Sequence, residues 1–305
     1  MTTSFSRRTE EDYRHCEAII KRHSKSFYYA FSRLPQEKAR AVYAIYAFCR
    51  TADDSVDSSG SREERMAALG RLSAELDRFR EGQDADTPLW RALRDVFRRY
   101  TMDIQPFYDQ LEGQRMDLDF RQPADLRRLE EYSYFVAGSV GLMLLPIIAP
   151  GADAETRRHA ATLGVAMQLT NILRDIGEDL RDKDRIYLPR DLMAKHGYTS
   201  EDLENRLIDD RFTSLWEAVA ARSEDLYDRF NETLGDYSDD SRLPVVLSAG
   251  VYRGILNEVR NNGYDCFSRR AVVGKLEKSR IALAVKASLT RKTGMAHTLA
   301  ADVAP

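Results

Sequence analysis

Apolar residues recur at intervals of three and four along most of this chain, and almost nowhere at intervals of two. EERMAALGRLSAELDRFREG (residues 63–82) and SLWEAVAARSEDLYDRFNETL (214–234) show the pattern, with charges filling the positions between. That spacing lines one face of an α-helix and does not suit a half-buried strand. β-branched clusters are scarce. Glycine and proline gather where helices are expected to end: Leu34-Pro35, Gly82, Pro88, Pro123, Pro146, Pro150-Gly151, Pro189, Gly197 and Pro244. The expected fold is all-α. No Ser/Gly/Pro-rich linker divides the chain, so one domain is expected over residues 13–290, after an N-terminal extension (1–12) and before a frayed tail (291–305).

Composition narrows the function classes. Lys and Arg number 46 against 49 Asp and Glu, a net charge of −3 with both signs mixed, which gives no general argument for nucleic acid. Cys16, Cys49 and Cys266 lie far apart, without zinc or thiol-exchange spacing, and read as reduced thiols of a cytoplasmic protein. The opening MTTSFSRRTEEDYRHCE lacks the apolar core of a signal peptide. The run VAGSVGLMLLPIIAP from Val136 contains Pro146 and is shorter than the roughly 20 residues of a spanning helix, so it reads as a core helix of a soluble protein.

Two stretches break the apolar pattern: RTADDSVD from Arg50 and NILRDIGED from Asn171. Each follows a run that belongs in a core, AVYAIYAFC and LGVAMQLT. On a helix, residues four apart share a face with Cβ atoms about 5–6 Å apart. Asp53 and Asp57 therefore point the same way, and Asp175 and Asp179 repeat the arrangement with Asn171 one turn back. Two carboxylates about 6 Å apart repel by roughly 3 kcal/mol at an effective dielectric near 20. A compensating cation is expected, and an oxygen-only ligand set suits a hard ion such as Mg²⁺. Arg50, Arg174 and Arg185 stand beside the clusters, and arginine forks favour phosphate oxygens.

Apolar walls accompany these charges. Phe27 and Phe31 are four apart, Tyr43 and Tyr46 precede the first cluster, and EYSYFVAGSVGLM brings Tyr132, Val136 and Val140 among small residues. Each aromatic taken alone is more simply a packing residue. Together with a diphosphate-type head site they suit an allylic prenyl diphosphate, a charged head on a long hydrocarbon tail.

HSKSFYYAF, RAVYAIYAFCRTADDSVD, EYSYFVAGSVG and MQLTNILRDIGEDLRDKDRIYLP, in this order, resemble the squalene/phytoene synthase family, from about Tyr13 to Arg270, with the strongest likeness to bacterial dehydrosqualene (diapophytoene) synthases. The resemblance implies the isoprenoid synthase bundle, a helical fold around a central cavity. It implies that Asp53, Asp57, Asp175 and Asp179, with Asn171 on the same stripe, hold Mg²⁺, with Mn²⁺ as an alternative. It assigns His23, Lys25, Ser26, Arg50, Arg185, Tyr252 and Arg269 to the diphosphates. Tyr46 and Tyr132 line the reaction centre, and Phe27, Phe31, Tyr43, Val136, Val140 and Gln168 the cavity. The spacer LRDKD between Asp179 and Arg185 is one residue longer than in some relatives, which singles out this loop.

The implied reaction joins two prenyl diphosphates head to head. Bulky Phe31 and Tyr43 favour two farnesyl diphosphates and a thirty-carbon dehydrosqualene, with NADPH not expected. Two geranylgeranyl diphosphates giving phytoene, or squalene formation with NADPH, are the alternatives. A head-to-tail chain-elongating enzyme would carry adjacent aspartates where this chain has DIGED, and a non-catalytic binding relative would have lost aspartates that are all present. The basic, partly amphipathic GKLEKSRIALAVKASLTRK leaves open peripheral contact with an anionic membrane at its inner face for product release; a plain surface helix is the simpler expectation.

Overall fold

The computed structural model describes residues 7–57 and 60–301, with side chains through residue 290. Among the described residues there is no strand, as expected for an all-α chain. The first half comprises α1 (Arg7–His23), α2 (Lys25–Phe31), α3 (Gln36–Asp57), α4 (Arg62–Arg80), α5 (Pro88–Arg99), α6 (Gln105–Leu118), α7 (Leu126–Ser133), a π turn (Tyr134–Gly138) and α8 (Ser139–Ile148). The second comprises α9 (Ala154–Arg174), α10 (Ile176–Lys183), α11 (Arg190–Lys195), α12 (Ser200–Glu204), α13 (Asp210–Phe230), a 3₁₀ turn (Asn231–Asp236), α14 (Asp239–Asn261) and α15 (Lys275–Ala301). Helix α1 starts inside the expected extension. The expected tail at 291–305 falls on residues whose side chains, and from 302 whose backbone, lie outside those described.

Side-chain caps set several starts. Ser61 and Glu64 form a reciprocal capping box on α4, Asp153 accepts from Thr156 N–H at 2.8 Å to open α9, and Asp209 caps α13. Two prolines do not end helices as expected. Pro146 lies inside α8, close to its end, and Pro244 in the second turn of α14. Both lie beyond the first turn, so each gives up its own i→i−4 bond, a cost offset by the packing of α8 on α9, α6 and α3 and of α14 on α9, α2 and α15.

Helix α9 is central, surrounded by α8, α13, α14 and the π turn, while α3 packs on α1, α4, α5, α6 and α8. The α7–α8 stretch from Leu126 to Ile148 is long and apolar enough to cross a membrane by length and composition, and half of its most apolar window is buried in the bundle. Glycine makes the α8–α9 seam. A Cβ on Gly164 would stand 2.3 Å from the Ala137 carbonyl oxygen, and one on Gly141 2.4 Å from that of Ala160. Between them the π turn, in which Ser139 N–H reaches back five residues to Tyr134 C=O, carries Val136 and Ala137 to the inner wall.

Gly164→Ala is expected to destabilise the protein by about 1–3 kcal/mol through overpacking. Gly70→Ala, in α4 with nothing within 4 Å of the new Cβ, should instead stabilise by about 0.5–1 kcal/mol. Urea midpoints of the two variants moving in the same direction would contradict the seam.

Candidate active site

The first acidic pair stands on the last two turns of α3, whose opposite face buries Ala44, Ile45, Ala47 and Phe48. Gln114 of α6 donates from Nε2 to Asp53 at 2.7 Å. Arg50 pairs with Asp54 one turn on. Its Nε is buried without a protein acceptor, and the side chain lines a polar cleft.

The second pair owes its position to a break. Helix α9 ends at Arg174, and Asp175 (φ −104°, ψ 13°) turns the chain into α10. Three groups distant in sequence stabilise this corner. Trp216 Nε1 donates to the Leu173 carbonyl at 3.1 Å, and Gly177 N–H donates to Cys266 C=O at 3.1 Å. A Cβ on Gly177 would lie 2.5 Å from Phe267 Cα, so only glycine fits the contact. Across the corner Asp175 N–H still bonds Asn171 C=O at 2.9 Å and Asp179 N–H bonds Asp175 C=O at 2.8 Å, so the expected stripe survives without one straight helix. The longer spacer closes at Asp184, in the left-handed region at φ 52°, with Arg185 N–H returning to Asp179 C=O at 3.1 Å.

These pairs face a polar compartment of about 760 Å³. His23, Lys25, Ser26, Arg50 and Tyr252 line it with Asp53, Asp57, Asn171, Asp175 and Asp179; Tyr46, Tyr132, Val136 and Gln168 complete the expected set there. An apolar compartment of about 220 Å³ adjoins it, walled by Phe27, Phe31, Val140, Leu144, Ile148 and Tyr237 among others. Tyr46, Asp53, Val136, Gln168, Asn171 and Tyr252 border both, so head space and tail space are continuous. The Phe27 ring packs on Phe31 at 4.4 Å and on Tyr46 at 5.9 Å between centroids.

Three expected residues lie elsewhere. Tyr43 is buried with its ring 5.7 Å from that of Tyr28, and it borders neither compartment. Arg269 is exposed and also lines neither; its neighbour Arg270 lines the polar cleft and reaches Asp175 at 3.1 Å and Glu178 at 2.9 Å. Arg185 is 7% exposed and turned into the wall. It meets Asp117 Oδ2 at 3.2 Å, donates to the Asp117 carbonyl at 2.8 Å, and donates to the Tyr187 hydroxyl at 3.1 Å. Tyr187 and Tyr132 in turn donate to Asp117 Oδ1 at 3.0 and 2.9 Å, and their rings stack at 5.2 Å. Arg185 is thus a brace behind Tyr132.

Besides Arg270, the cleft contains Gln114, Asp117, Glu178 and Lys183, which the motif reading missed. Lys183 was visible as the fourth residue after Asp179; its Nζ lies 3.8 Å from Asp179 and 3.5 Å from Asp57, spanning the two motifs. Burial draws its pKa down, but Asp57 and Asp179 outweigh this and hold it up. Burial pushes the carboxyls of Asp53 and Asp179 up to about 7. Arg50 opposes this at Asp53, where Asp57 and Asp117 add to it; Lys183 opposes it at Asp179, where Asp175 and Glu178 add. Carboxylates so perturbed are short of positive charge, and their all-oxygen donors fit a hard divalent ion. Another grouping, Glu155, His159 and Glu232 with ligand atoms within 4.8 Å of one another, borders neither compartment.

Residues 20–277 match the family model for squalene/phytoene synthase. The chain belongs to the squalene/phytoene synthase family. It is 38% identical over 277 residues to a 15-cis-phytoene synthase of Synechococcus elongatus, covering 86% of this chain and 88% of that protein. It is 36% identical over 273 residues to the 4,4'-diapophytoene synthase of Staphylococcus haemolyticus, covering 89% and 95%. A solved dehydrosqualene synthase in complex with ligand superposes with a TM-score of 0.88 at 43% identity, over 93% of this chain and 98% of that one. The protein is therefore a prenyltransferase-type enzyme of a family that acts on prenyl diphosphates and depends on a divalent metal.

If Arg185 braces the wall, Arg185→Gln leaves Asp117 buried without its charge partner and should cost about 3–5 kcal/mol of stability. A variant as stable as the parent, with only KM for substrate raised, would return Arg185 to the diphosphate.

Proposed function

We propose that the enzyme condenses two farnesyl diphosphates head to head, through a presqualene-type diphosphate, to dehydrosqualene. The observation that carries this reading is the tail compartment, a space of about 220 Å³ with the bulky rings of Phe27 and Phe31 in its wall. That favours the shorter tail. Geranylgeranyl diphosphate is the second reading, favoured by the 38% identity to a phytoene synthase.

Asp53, Asp57, Asn171, Asp175 and Asp179 would hold Mg²⁺, with Mn²⁺ as a substitute, and the bound ion supplies positive charge to the departing diphosphate. Arg50 and Lys25 line the cleft and are placed to meet diphosphate oxygens, with Ser26 and His23 beside them. Burial and the nearby Arg50 lower the His23 pKa, which favours the neutral ring. Arg270 takes the part expected of Arg269.

The first substrate loses diphosphate from C1 to give an allylic cation, and the C2=C3 bond of the second attacks it. Loss of a proton closes a cyclopropane. The second diphosphate then leaves, the carbon skeleton rearranges, and loss of another proton forms the central double bond. The faces of Tyr46 and Tyr132 can favour passing positive charge, while the apolar walls exclude water that would quench it. Neither proton loss consumes a reductant, so NADPH has no role in this reading.

Product analysis by mass spectrometry tests it, with Mg²⁺ and farnesyl or geranylgeranyl diphosphate, each with and without NADPH. A thirty-carbon polyene from farnesyl diphosphate, unchanged by NADPH, is expected. Asp53→Asn or Asp175→Asn should lower turnover by at least about 10²-fold with helicity intact, and Phe31→Ala should raise use of geranylgeranyl diphosphate. Phytoene as the parent's preferred product would establish the second reading, and squalene formed only with NADPH would change the last step.

A further inference from the structure

Large apolar side chains stand exposed at Met66, Leu207, Ile208, Val272, Leu276 and Leu283. The three most exposed are Leu276 at 87%, Leu283 at 69% and Val272 at 66%, and all lie within twelve residues at the start of α15. Helix α15 already buries an apolar face: Ile281 packs over Gly250 and Gly254 of α14, with Val285 beside it. At 3.6 residues per turn Leu276 and Leu283, two turns apart, fall on the opposite side of the helix. A helix seated on its own bundle needs only one apolar face, and the second has no partner among the described residues.

Charge indicates what would cover it. From residue 269 to 290 the chain carries Arg269, Arg270, Lys275, Lys278, Arg280 and Lys286 against a single acid, Glu277, although its overall net charge is −3. Arg269, Lys275, Arg280 and Lys286 are all exposed. Val272 and Arg270 also line the polar compartment, so this surface continues into the mouth of the cavity. Exposed leucines set among basic side chains match an anionic bilayer, where the leucines enter the acyl boundary and the cations meet the headgroups.

We infer that the outer face of α15, with the Val272 turn, docks on an anionic lipid surface and holds the cavity mouth against it. The use of such docking, delivery of a hydrocarbon that water does not dissolve, rests on the proposed reaction. The surface itself does not, and its test needs no turnover.

The test is flotation of the full chain with vesicles of equal parts phosphatidylcholine and phosphatidylglycerol, beside vesicles of phosphatidylcholine alone. Binding to the anionic vesicles, weakened by salt, is expected. Leu276→Ser with Leu283→Ser should weaken it roughly tenfold, and Lys275→Glu with Arg280→Glu and Lys286→Glu should remove it. All five side chains are exposed, so unchanged thermal unfolding is the control for folding. No binding, equal binding to both vesicles, or binding indifferent to both variants would overturn the inference. So would a dimer of the parent that the leucine variant converts to monomer, since the face would then be occupied by a second copy. Product formation in detergent solution, read in parallel, separates failure of docking from failure of the proposed reaction.

Discussion

Negative charge held inside an apolar bundle is the constraint on which this structure depends. Asp53 and Asp179 are buried deeply enough to be pushed up to about 7, yet each has further acids close by. The chain answers partly from its own side chains. Gln114 donates to Asp53, Arg174 and Arg270 hold Asp175, and Lys183 stands between Asp57 and Asp179. A lysine spanning two acidic motifs neutralises one charge where several converge. The remaining deficit is what a divalent ion and its diphosphate ligand are suited to complete, because attraction in such a site is screened far less than in water.

The geometry that brings those charges together is made by backbone as much as by carboxylates. The bend at Asp175 exists because Trp216 takes the Leu173 carbonyl and Cys266 takes the Gly177 N–H, against a chain segment that leaves no room for a Cβ at 177. On the facing side the glycine seam between α8 and α9 sets the width of the tail compartment, and the π turn between α7 and α8 adds Val136 and Ala137 to its wall. Behind the reacting face, the buried Arg185–Asp117 pair fixes the stacked rings of Tyr132 and Tyr187. Head space and tail space thus share a border but are built by different devices: ion pairs for one, close backbone approach for the other.

What was legible in the sequence follows the range of each interaction. The all-α class and both acidic stripes depend on contacts within one or two helical turns, and spacing shows these directly. The break at Asp175 depends on Trp216 and Cys266, which no local pattern connects to it. Tyr43 stands two turns before Arg50, yet its ring turns to Tyr28, a contact that depends on how α2 packs. Arg269 and Arg270 are adjacent in a segment with no helical period, so only the path of the chain decides which one enters the cleft. The same limit applies to Arg185, whose partner Asp117 is 68 residues away. Proline usually ends a helix, yet Pro146 and Pro244 stand inside α8 and α14, because packing against helices distant in sequence offsets the lost ladder bond.

In the proposed reading the two acidic motifs share cations across the cleft, and anomalous diffraction can locate such ions. Crystals of the protein grown with Mn²⁺ and a farnesyl thiodiphosphate that resists ionisation should show metal peaks between the Asp53/Asp57 pair and the Asp175/Asp179 pair, with Lys183 drawn away from Asp57. Metal found only at Glu155, His159 and Glu232, or a diphosphate seated in the cleft on arginine and lysine alone, would contradict shared cations.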